Sequence, residues 1–355
     1  MNLNDFLTFV VKKGASDIHF KVGSPPLLRM YGDLIAVKGK PLSARDTSAL
    51  AFTFMSKSPK RRFSSFFEVD TTYTIPNVAR FRVNIYRQRG NFSIAMRYIP
   101  LKIPPFEALN IPEVVKKLAM EPRGLVLVTG VTGSGKTTTL AAMINYINMH
   151  KRAHIITIED PVEFIHKDIK SHIEEREVGL DTTTFVSALR SALRQDPDVI
   201  MIGEMRDRET IETALHAAET GHLVFSTFHT TNAVETINGI VGYFPPESAE
   251  QILVQIAANL KGVIGQRLIK RKDRAGRVLA AEVLVSTPTI RSCIITPERF
   301  KEIPSYMERG HSEYGMQTFD QAVLDLYRKG YISYQAAMEN ASVPTEFERK
   351  LQFEE

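Results

Sequence analysis

The sequence predicts an α/β protein of two domains, a small mixed domain followed by a larger one built on a parallel sheet. The chain has 355 residues, of which 43% are hydrophobic and 24% are charged, which suffices for about two globular domains. A proline-rich segment over 100–105 interrupts the pattern and is typical of a linker. After it, apolar strands alternate with helical stretches to about residue 240, which is typical of a parallel sheet with helices on both faces.

Apolar periodicity predicts the elements of the small domain, which we expect over residues 1–98. Apolar residues recur at helical spacing near the N-terminus, and apolar and polar residues alternate in two later segments. The predicted elements are a helix over 3–13 and strands over 18–22, 27–30, 34–37, 78–85 and 92–98.

A linker over 99–111 leads into the larger domain, which we expect over 112–355. From about 245 to 355 the pattern is mostly helical, with Gly330 suited to a helix C-terminus and Ser333 to a helix N-terminus. The predicted strands are 125–128, 153–158, 199–202 and 223–227, and the predicted helices are 112–120, 138–149, 251–264, 316–329 and 334–340.

A glycine-rich loop follows the first strand of the larger domain. Gly130, Gly133 and Gly135 permit the positive φ angles that turn backbone N–H groups towards a phosphate. In such a Walker A loop Lys136 contacts the β- and γ-phosphate oxygens and the Thr137 hydroxyl ligates Mg²⁺. The following helix directs its positive dipole end at the same phosphates. The loop therefore predicts ATP and Mg²⁺ as cofactors, with these nucleotide-binding residues: Gly130, Thr132, Gly133, Ser134, Gly135, Lys136, Thr137 and Thr138.

An apolar strand over 198–204 ends in an acidic side chain, as a Walker B element does. P-loop ATPases commonly place an Asp-Glu pair there, the Asp near the metal and the Glu near water. Here Gly203 takes the first place, so Glu204 is the acid available. We expect Glu204 to hold Mg²⁺ together with Thr137, partly through water.

Three acids directly follow the strand over 153–158: Glu159, Asp160 and Glu163. Their place beside a P-loop strand makes them candidates for activating water. Pro161 shapes the turn, so we expect Glu163 first and Glu159 second in this catalytic role. A solvated acidic loop is the alternative interpretation.

His222 and His229 bracket the strand over 223–228. Each alone is more often a hydrogen-bonded structural histidine than a catalyst. Their place at the ends of the strand that follows Walker B favours a nucleotide-sensing role, for His229 more than for His222. We expect no zinc there, because no cysteine or third histidine stands at ligand spacing.

Arginines alternate with apolar residues in two strands of the small domain. The alternation predicts that Arg80, Arg82 and Arg97 share one exposed face of the sheet. Taken alone, this is a solvated face. In an oligomeric ATPase such arginines act as fingers in trans, stabilising the negative charge that spreads during phosphoryl transfer.

Composition excludes several other classes of protein. The single cysteine, Cys293, excludes an internal disulfide and a multi-cysteine zinc site. No stretch approaches the ~18 apolar residues of a membrane span, and the N-terminus lacks a secretory signal pattern, so we expect a cytoplasmic protein. The net charge of +5 is mild, and basic runs such as 57–62 are typical of a solvated face or an acidic partner. We expect no nucleic-acid partner.

Taken together, the motifs go beyond generic P-loop chemistry. The chain resembles the type II/IV secretion superfamily of ATPases, and most closely the PilT/PilU family of type IV pilus retraction ATPases. The segments that carry the resemblance follow the order of that family and span nearly the whole chain: 16–19, 80–82, 130–137, 158–163, 176–179, 193–200, 203–207, 218–222 and 227–230.

The resemblance implies a homohexamer in which a PAS-like N-terminal domain joins a RecA-like core, with ATP bound between subunits. It implies that hydrolysis drives pilus retraction through an inner-membrane platform protein, with a paralogous pilus ATPase as a further partner. The motor would be peripheral to the membrane, at the cytoplasmic face of the inner membrane. Arg82 and Arg97 then resemble arginines that one subunit provides across the subunit boundary, where ATP is bound.

Two differences from known patterns in the superfamily indicate which of its branches the chain resembles. The chain lacks the extra N-terminal region and the four-cysteine zinc subdomain of the assembly ATPases, which favours retraction. The family signature Ala-Ile-Arg-Asn-Leu-Ile-Arg-Glu is altered over 289–296, and residues 315–321 resemble PilU. A principal motor and an accessory PilU-like motor are therefore both open. A related translocase of DNA or secreted protein is a further alternative. A non-hydrolysing structural subunit is another, but it would carry a damaged Walker or acidic segment, and the sequence has none.

Overall fold

The structure, a computed structural model, describes residues 2–30, 33–55, 68–76, 78–100 and 102–353. The basic run over 57–62 lies outside these ranges. The described chain forms two compact units, the first reaching to Ile103 and including Asp160–Ile165 and Glu177–Asp181. The second unit contains the remainder. No described helix is long and apolar enough to cross a membrane.

The first unit is an antiparallel sheet with two helices, in agreement with the expected PAS-like domain. The strand order is β3-β2-β1-β6-β5-β4. Arg82 on β5 lies directly opposite Arg97 on β6. The elements are α1 (Leu3–Lys12), β1 (Asp17–Phe20), β2 (Leu27–Met30), β3 (Asp33–Ala36), α2 (Ala44–Met55), β4 (Glu68–Ile75), β5 (Ala79–Gln88) and β6 (Asn91–Ile99).

The apolar faces of these elements form one core, around Leu7 of α1, Phe54 of α2 and Phe81 of β5. The five predicted strands and the first helix of this unit are confirmed to within a few residues. Helix α2 and strand β4 are absent from the prediction. Their sequences explain this, because Thr47 and Thr71 occupy buried positions where a periodic pattern requires apolar residues.

The second unit is a seven-stranded sheet in the order β13-β12-β7-β11-β10-β8-β9. The central strands β12, β7, β11, β10 and β8 are parallel, as expected for a RecA-like core. Every residue of β7, β10 and β11 is buried, which is why they read as continuous apolar runs. The strands are β7 (Gly124–Thr129), β8 (His154–Glu159), β9 (His172–Glu177), β10 (Val199–Ile202), β11 (Leu223–Phe228), β12 (Leu260–Lys270) and β13 (Arg277–Val285).

Helices surround this sheet and dominate the C-terminal part. Ser333 caps a helix, and Gly330 follows another with a φ of 72°, as expected. The helices are α3 (Phe106–Leu109), α4 (Val114–Ala119), α5 (Lys136–His150), α6 (Phe185–Ala192), α7 (Arg208–Glu219), α8 (Ala233–Val241), α9 (Ala249–Asn259), α10 (Pro288–Ile295), α11 (Ile303–Arg309), α12 (His311–Tyr314), α13 (Phe319–Arg328), α14 (Tyr334–Asn340) and α15 (Pro344–Phe353).

The helix predicted over 251–264 is wrong in its second half. Helix α9 ends at Asn259, and the chain continues as β12, which pairs with β7 on one side and β13 on the other. A Cβ atom at Gly262 would lie 2.8 Å from the Leu284 carbonyl oxygen, so this glycine admits the close approach of β13. The strand is fixed by distant partners, which local apolar spacing does not reveal.

Asn148, a fully buried residue near the end of α5, fixes the loop that leads into β9. Its side-chain Nδ2 donates to the Lys167 carbonyl at 2.7 Å. Its Oδ1 accepts from the N–H groups of Ile169 at 3.0 Å and Ser171 at 3.2 Å. One side chain therefore satisfies three backbone groups of a loop that has no regular structure.

We predict that Asn148→Ala lowers the free energy of unfolding by about 2 kcal/mol or more, because it leaves buried backbone groups unpaired. Asn238→Ala is the matched control, since Asn238 is exposed on α8, and it should lose no stability. Denaturant unfolding of both variants measures the difference. Equal stability of the two would show that the Asn148 hydrogen bonds are dispensable.

Candidate nucleotide-binding site

The loop over 130–135 has the geometry expected of a phosphate-binding loop. Gly130, Gly133 and Gly135 have φ angles of 143°, 80° and 98°. A Cβ atom at Gly130 would lie 2.6 Å from both the Gln266 carbonyl oxygen and the Ser134 hydroxyl, so only glycine fits. Lys136 is 8% exposed. Its ammonium donates to the carbonyls of Gly130 at 2.7 Å and Val131 at 3.1 Å, which holds the charge over the loop.

Gln266 on β12 anchors the helix that follows this loop. Its side-chain Nε2 donates to the Thr139 hydroxyl on α5 at 2.5 Å, and the residue is only 1% exposed. Its Oε1, like the Ser134 hydroxyl, is buried with no hydrogen-bond partner among the described residues. Buried polar atoms of this kind are compatible with a polar ligand in the loop.

Four parallel strands end side by side at the edge that carries this loop. Phe228 of β11 lies opposite Thr129 of β7, and Ile202 of β10 lies opposite Ile158 of β8. The residues directly after these pairs therefore share one edge, where ligands bind in open α/β sheets. The sequence-predicted residues placed there are the loop with Lys136, Glu159, Glu204 and His229.

Glu204 is the centre of a charged cluster at this edge. Its carboxylate is 16% exposed and accepts from Arg206 Nε at 2.7 Å. His229 Nε2 lies 3.4 Å from the same oxygen. Arg206 and His229 are themselves 71% and 48% exposed, so both can turn towards a ligand. The arrangement suits a carboxylate that binds a cation or water, and a histidine that responds to it.

Gly203, in place of the usual Walker B aspartate, has close backbone neighbours. A Cβ atom at Gly203 would lie 3.3 Å from the Ile158 carbonyl oxygen and 3.4 Å from Glu159 Cα. The Gly203 carbonyl also accepts from the Thr227 hydroxyl at 2.6 Å. The backbone is therefore clamped between β8 and β11, which fixes where Glu204 begins.

Glu159 and His222 occupy different environments from Glu204. Glu159 is 5% exposed, and its carboxylate accepts from the Thr157 hydroxyl at 3.0 Å. His222 precedes β11, and its carbonyl accepts from the Gly124 N–H at the start of β7. It therefore lies at the edge opposite the phosphate loop, where its Nδ1 stands 2.9 Å from the Ala217 carbonyl oxygen at the end of α7. The structure does not bring His222 together with His229.

The first unit holds Arg80 in a buried ion pair, so the expectation that it shares an exposed face is wrong. Arg80 is 9% exposed, and its guanidinium lies 3.3 Å from the Glu177 carboxylate. Glu177 also accepts from the Val162 N–H at 3.2 Å. Burial raises the pKa of Glu177 despite these two favourable contacts. The pair fastens the segments around 162 and 177 to β5.

Arg82 and Arg97 of that unit are exposed, unlike Arg80. The Arg97 guanidinium donates to Asp17 at 2.8 Å and remains 68% exposed, whereas Arg82 Nε lies 3.8 Å from the Asp70 carboxylate. Burial disfavours the Asp17 carboxylate, but the hydrogen bonds from Arg97 and Ser16 outweigh it and lower the pKa of Asp17. Glu163, half-buried, belongs to the same unit.

Several residues of the site carry no role in the sequence analysis. Arg206 and Asp17 lie inside segments that resemble the family, so their position in those segments was the available signal. Gln266 on β12 and Thr139 on α5 are far apart in the sequence, and no local pattern marks them. Glu177 lies in the segment 176–179 that resembles the family, but its partner Arg80 is distant in the sequence.

Comparison with known proteins places this site in a family. The family model described as "Type II/IV secretion system protein" matches residues 106–324. The type IV pilus retraction ATPase PilT of Pseudomonas aeruginosa is 46% identical, over 98% of this chain and 100% of that protein. The type IV pilus ATPase PilU of the same organism is 40% identical, over 96% of this chain and 89% of that protein.

A solved structure agrees with this assignment. The crystal structure of the pilus retraction motor PilT with bound ADP superimposes with a TM-score of 0.90 at 43% identity, covering 98% of this chain and 99% of that one. The antiparallel first unit and the parallel P-loop core are therefore shared along the whole chain. The chain belongs to the type II/IV secretion ATPase family, in its PilT/PilU branch.

Proposed function

We propose that this chain is an ATP-hydrolysing motor that powers type IV pilus retraction. The observation that carries the proposal is the full-length similarity to PilT together with an intact site, in which the loop, Lys136, Glu204 and His229 share one sheet edge. The higher identity to PilT than to PilU favours the principal motor over the accessory one.

The loop and Lys136 bind the phosphates of ATP in this proposal. The backbone N–H groups over 130–138 cradle the β-phosphate, and Lys136 exchanges its two loop carbonyls for phosphate oxygens. Thr137 and Glu204 are the residues that would hold Mg²⁺, which neutralises charge on the β- and γ-phosphates when bound. His229, half-exposed beside Glu204, senses the γ-phosphate.

Hydrolysis needs a water-activating carboxylate, for which we propose Glu163, with Glu159 as the second candidate. The Glu159 carboxylate is buried and hydrogen-bonded to Thr157, which favours a structural role. Glu163 is half-buried and follows the same strand.

The active form in this proposal is a homohexamer with ATP between subunits. Arg82 and Arg97 of one subunit stabilise the transferring phosphoryl group bound by the next. The ring acts on an inner-membrane platform protein from the cytoplasmic face of that membrane. A paralogous pilus ATPase is a further proposed partner.

An accessory motor is the second candidate, favoured by one specific feature of α10. Of the positions that depart from the family signature, Cys293 is buried, whereas Ser292 and Ile295 are exposed. The departures therefore change a surface as well as the core.

A related translocase of DNA is a different alternative. Its ATPase rate would be stimulated strongly by DNA and not by the platform protein.

We predict that Lys136→Ala lowers ATP turnover by about 100-fold or more, because the loop loses the charge that stabilises the phosphates. Lys301→Ala, at an exposed lysine outside the site, should keep wild-type turnover. A phosphate-release assay with Mg²⁺ measures both. Unchanged turnover of the Lys136 variant would remove the loop from catalysis.

We predict that Glu163→Gln lowers turnover by about 100-fold while ATP binding is retained, since the amide keeps the shape of the side chain but cannot accept a proton. Glu159→Gln should lose much less, because its amide oxygen still accepts from Thr157. Single-turnover hydrolysis and nucleotide binding separate the two steps. The reverse order of effects would assign water activation to Glu159.

We predict that rings mixed from Lys136→Ala and Arg82→Ala subunits recover activity that neither variant has alone. With equal, random mixing about one interface in four combines an intact loop with an intact arginine. Arg89→Asn, at an exposed turn of the first unit, should be active by itself. Absence of recovery, with subunit exchange shown separately, would contradict the action of Arg82 in trans.

A further inference from the structure

We propose that His154, His172 and Glu174 form a binding site for a divalent transition metal, with zinc as its best-matched ion. One ligand atom from each residue lies within 4.8 Å of the others. His154 begins β8 and His172 begins β9, and the His172 N–H donates to the Ala153 carbonyl at 2.9 Å, so the two strands start side by side. All three residues belong to the second unit.

The hydrogen bonds of His154 leave one ring nitrogen suited to a metal. Its Nδ1 lies 3.2 Å from the Asp196 carbonyl oxygen, which can only accept, so the partner assigns the proton to Nδ1. The lone pair of the neutral ring then lies on Nε2. That atom is buried and has no hydrogen-bond partner among the described residues, and Glu174 Oε2 stands 3.9 Å away.

His172 is held in the same way from the other side. Its Nδ1 lies 2.9 Å from Asp168 Oδ2, and its Nε2 faces Glu174 Oε1 at 3.4 Å. A carboxylate that fixes the outer nitrogen of a histidine while the inner nitrogen faces the ligand set is the usual arrangement around protein-bound metals. The rings of His172 and His154 stack with centroids 5.5 Å apart, so both present Nε2 towards Glu174.

Charge around the cluster is favourable to a cation. Asp168 and Glu174 flank His172, and Asp198 accepts from the His154 backbone N–H at 2.8 Å. A bound metal ion would supply positive charge beside these carboxylates with both imidazoles neutral.

The three ligand atoms need to move only slightly closer together to reach the separations found around zinc. Ligands at about 2.0–2.2 Å from a tetrahedral zinc stand roughly 3.3 Å apart. His172 and Glu174 have side chains that are 62% and 48% exposed, and these can rotate towards the buried His154 nitrogen. Two imidazoles and one carboxylate favour zinc over magnesium or calcium, and three protein ligands leave a fourth position for water.

The site lies at the opposite end of β8 from Glu159. Since β8 has six residues, its ends are about 17 Å apart, so the metal stands well away from the phosphate loop. Its expected effect is to link the first residues of β8 and β9. This inference is independent of the proposed motor function, and basal ATP turnover should not depend on the metal.

Zinc binding to the full chain, purified without a histidine tag and stripped with a chelator, tests the site. We expect one zinc per chain by calorimetry and by metal analysis after dialysis, with a raised melting temperature. His172→Gln and Glu174→Gln should bind at least about tenfold more weakly, and Asp168→Asn about tenfold more weakly. His216→Gln is the matched control, because His216 is exposed on α7 outside the cluster.

Cobalt absorption gives a second readout, since a tetrahedral site produces intense visible bands that His172→Gln should abolish. Absence of zinc binding to the wild-type chain would overturn the proposal and leave an ion-paired histidine cluster. Equal binding by His172→Gln, or an equal loss in His216→Gln, would also overturn it, because the metal would then lie elsewhere on the surface.

Discussion

The alignment of parallel strands at one sheet edge is the constraint on which the rest of the site depends. Thr129 pairs with Phe228, and Ile158 pairs with Ile202, near the ends of their strands. The loop, Glu204 and His229 follow these ends at one edge of the sheet, where His229 Nε2 lies 3.4 Å from the Glu204 carboxylate. Complete burial of β7, β10 and β11 stabilises that register. The buried strands therefore position the functional side chains at this edge of the sheet.

The C-terminal hairpin takes part in the same arrangement. Strand β12 pairs with β7, and Gln266 on it contacts both the loop and α5. A movement of the loop or of α5 on nucleotide binding would therefore act on β12 and on β13, its antiparallel neighbour. Helix α10, which carries the departures from the family signature, follows β13 directly.

The sequence predicts those features that local patterns encode. The glycine loop, the buried strands and the acid at the end of β10 depend on neighbouring residues, and the structure has them where expected. Strands β12 and β13 were not predicted, because their pairing partners are distant in the sequence. Arg80 alternates correctly on its strand, yet it is buried, because Glu177 from a distant segment covers it. The histidine and glutamate cluster at the start of β8 and β9 has no local signature at all.

The most direct test of the account is to film fluorescently labelled pili in the host after deletion of this gene. We expect pili that extend but no longer retract, with retraction restored by the wild-type chain and not by Lys136→Ala. Retraction at normal frequency that weakens only under load would identify an accessory motor. Unchanged retraction under every load would contradict the account and assign the chain to another machine.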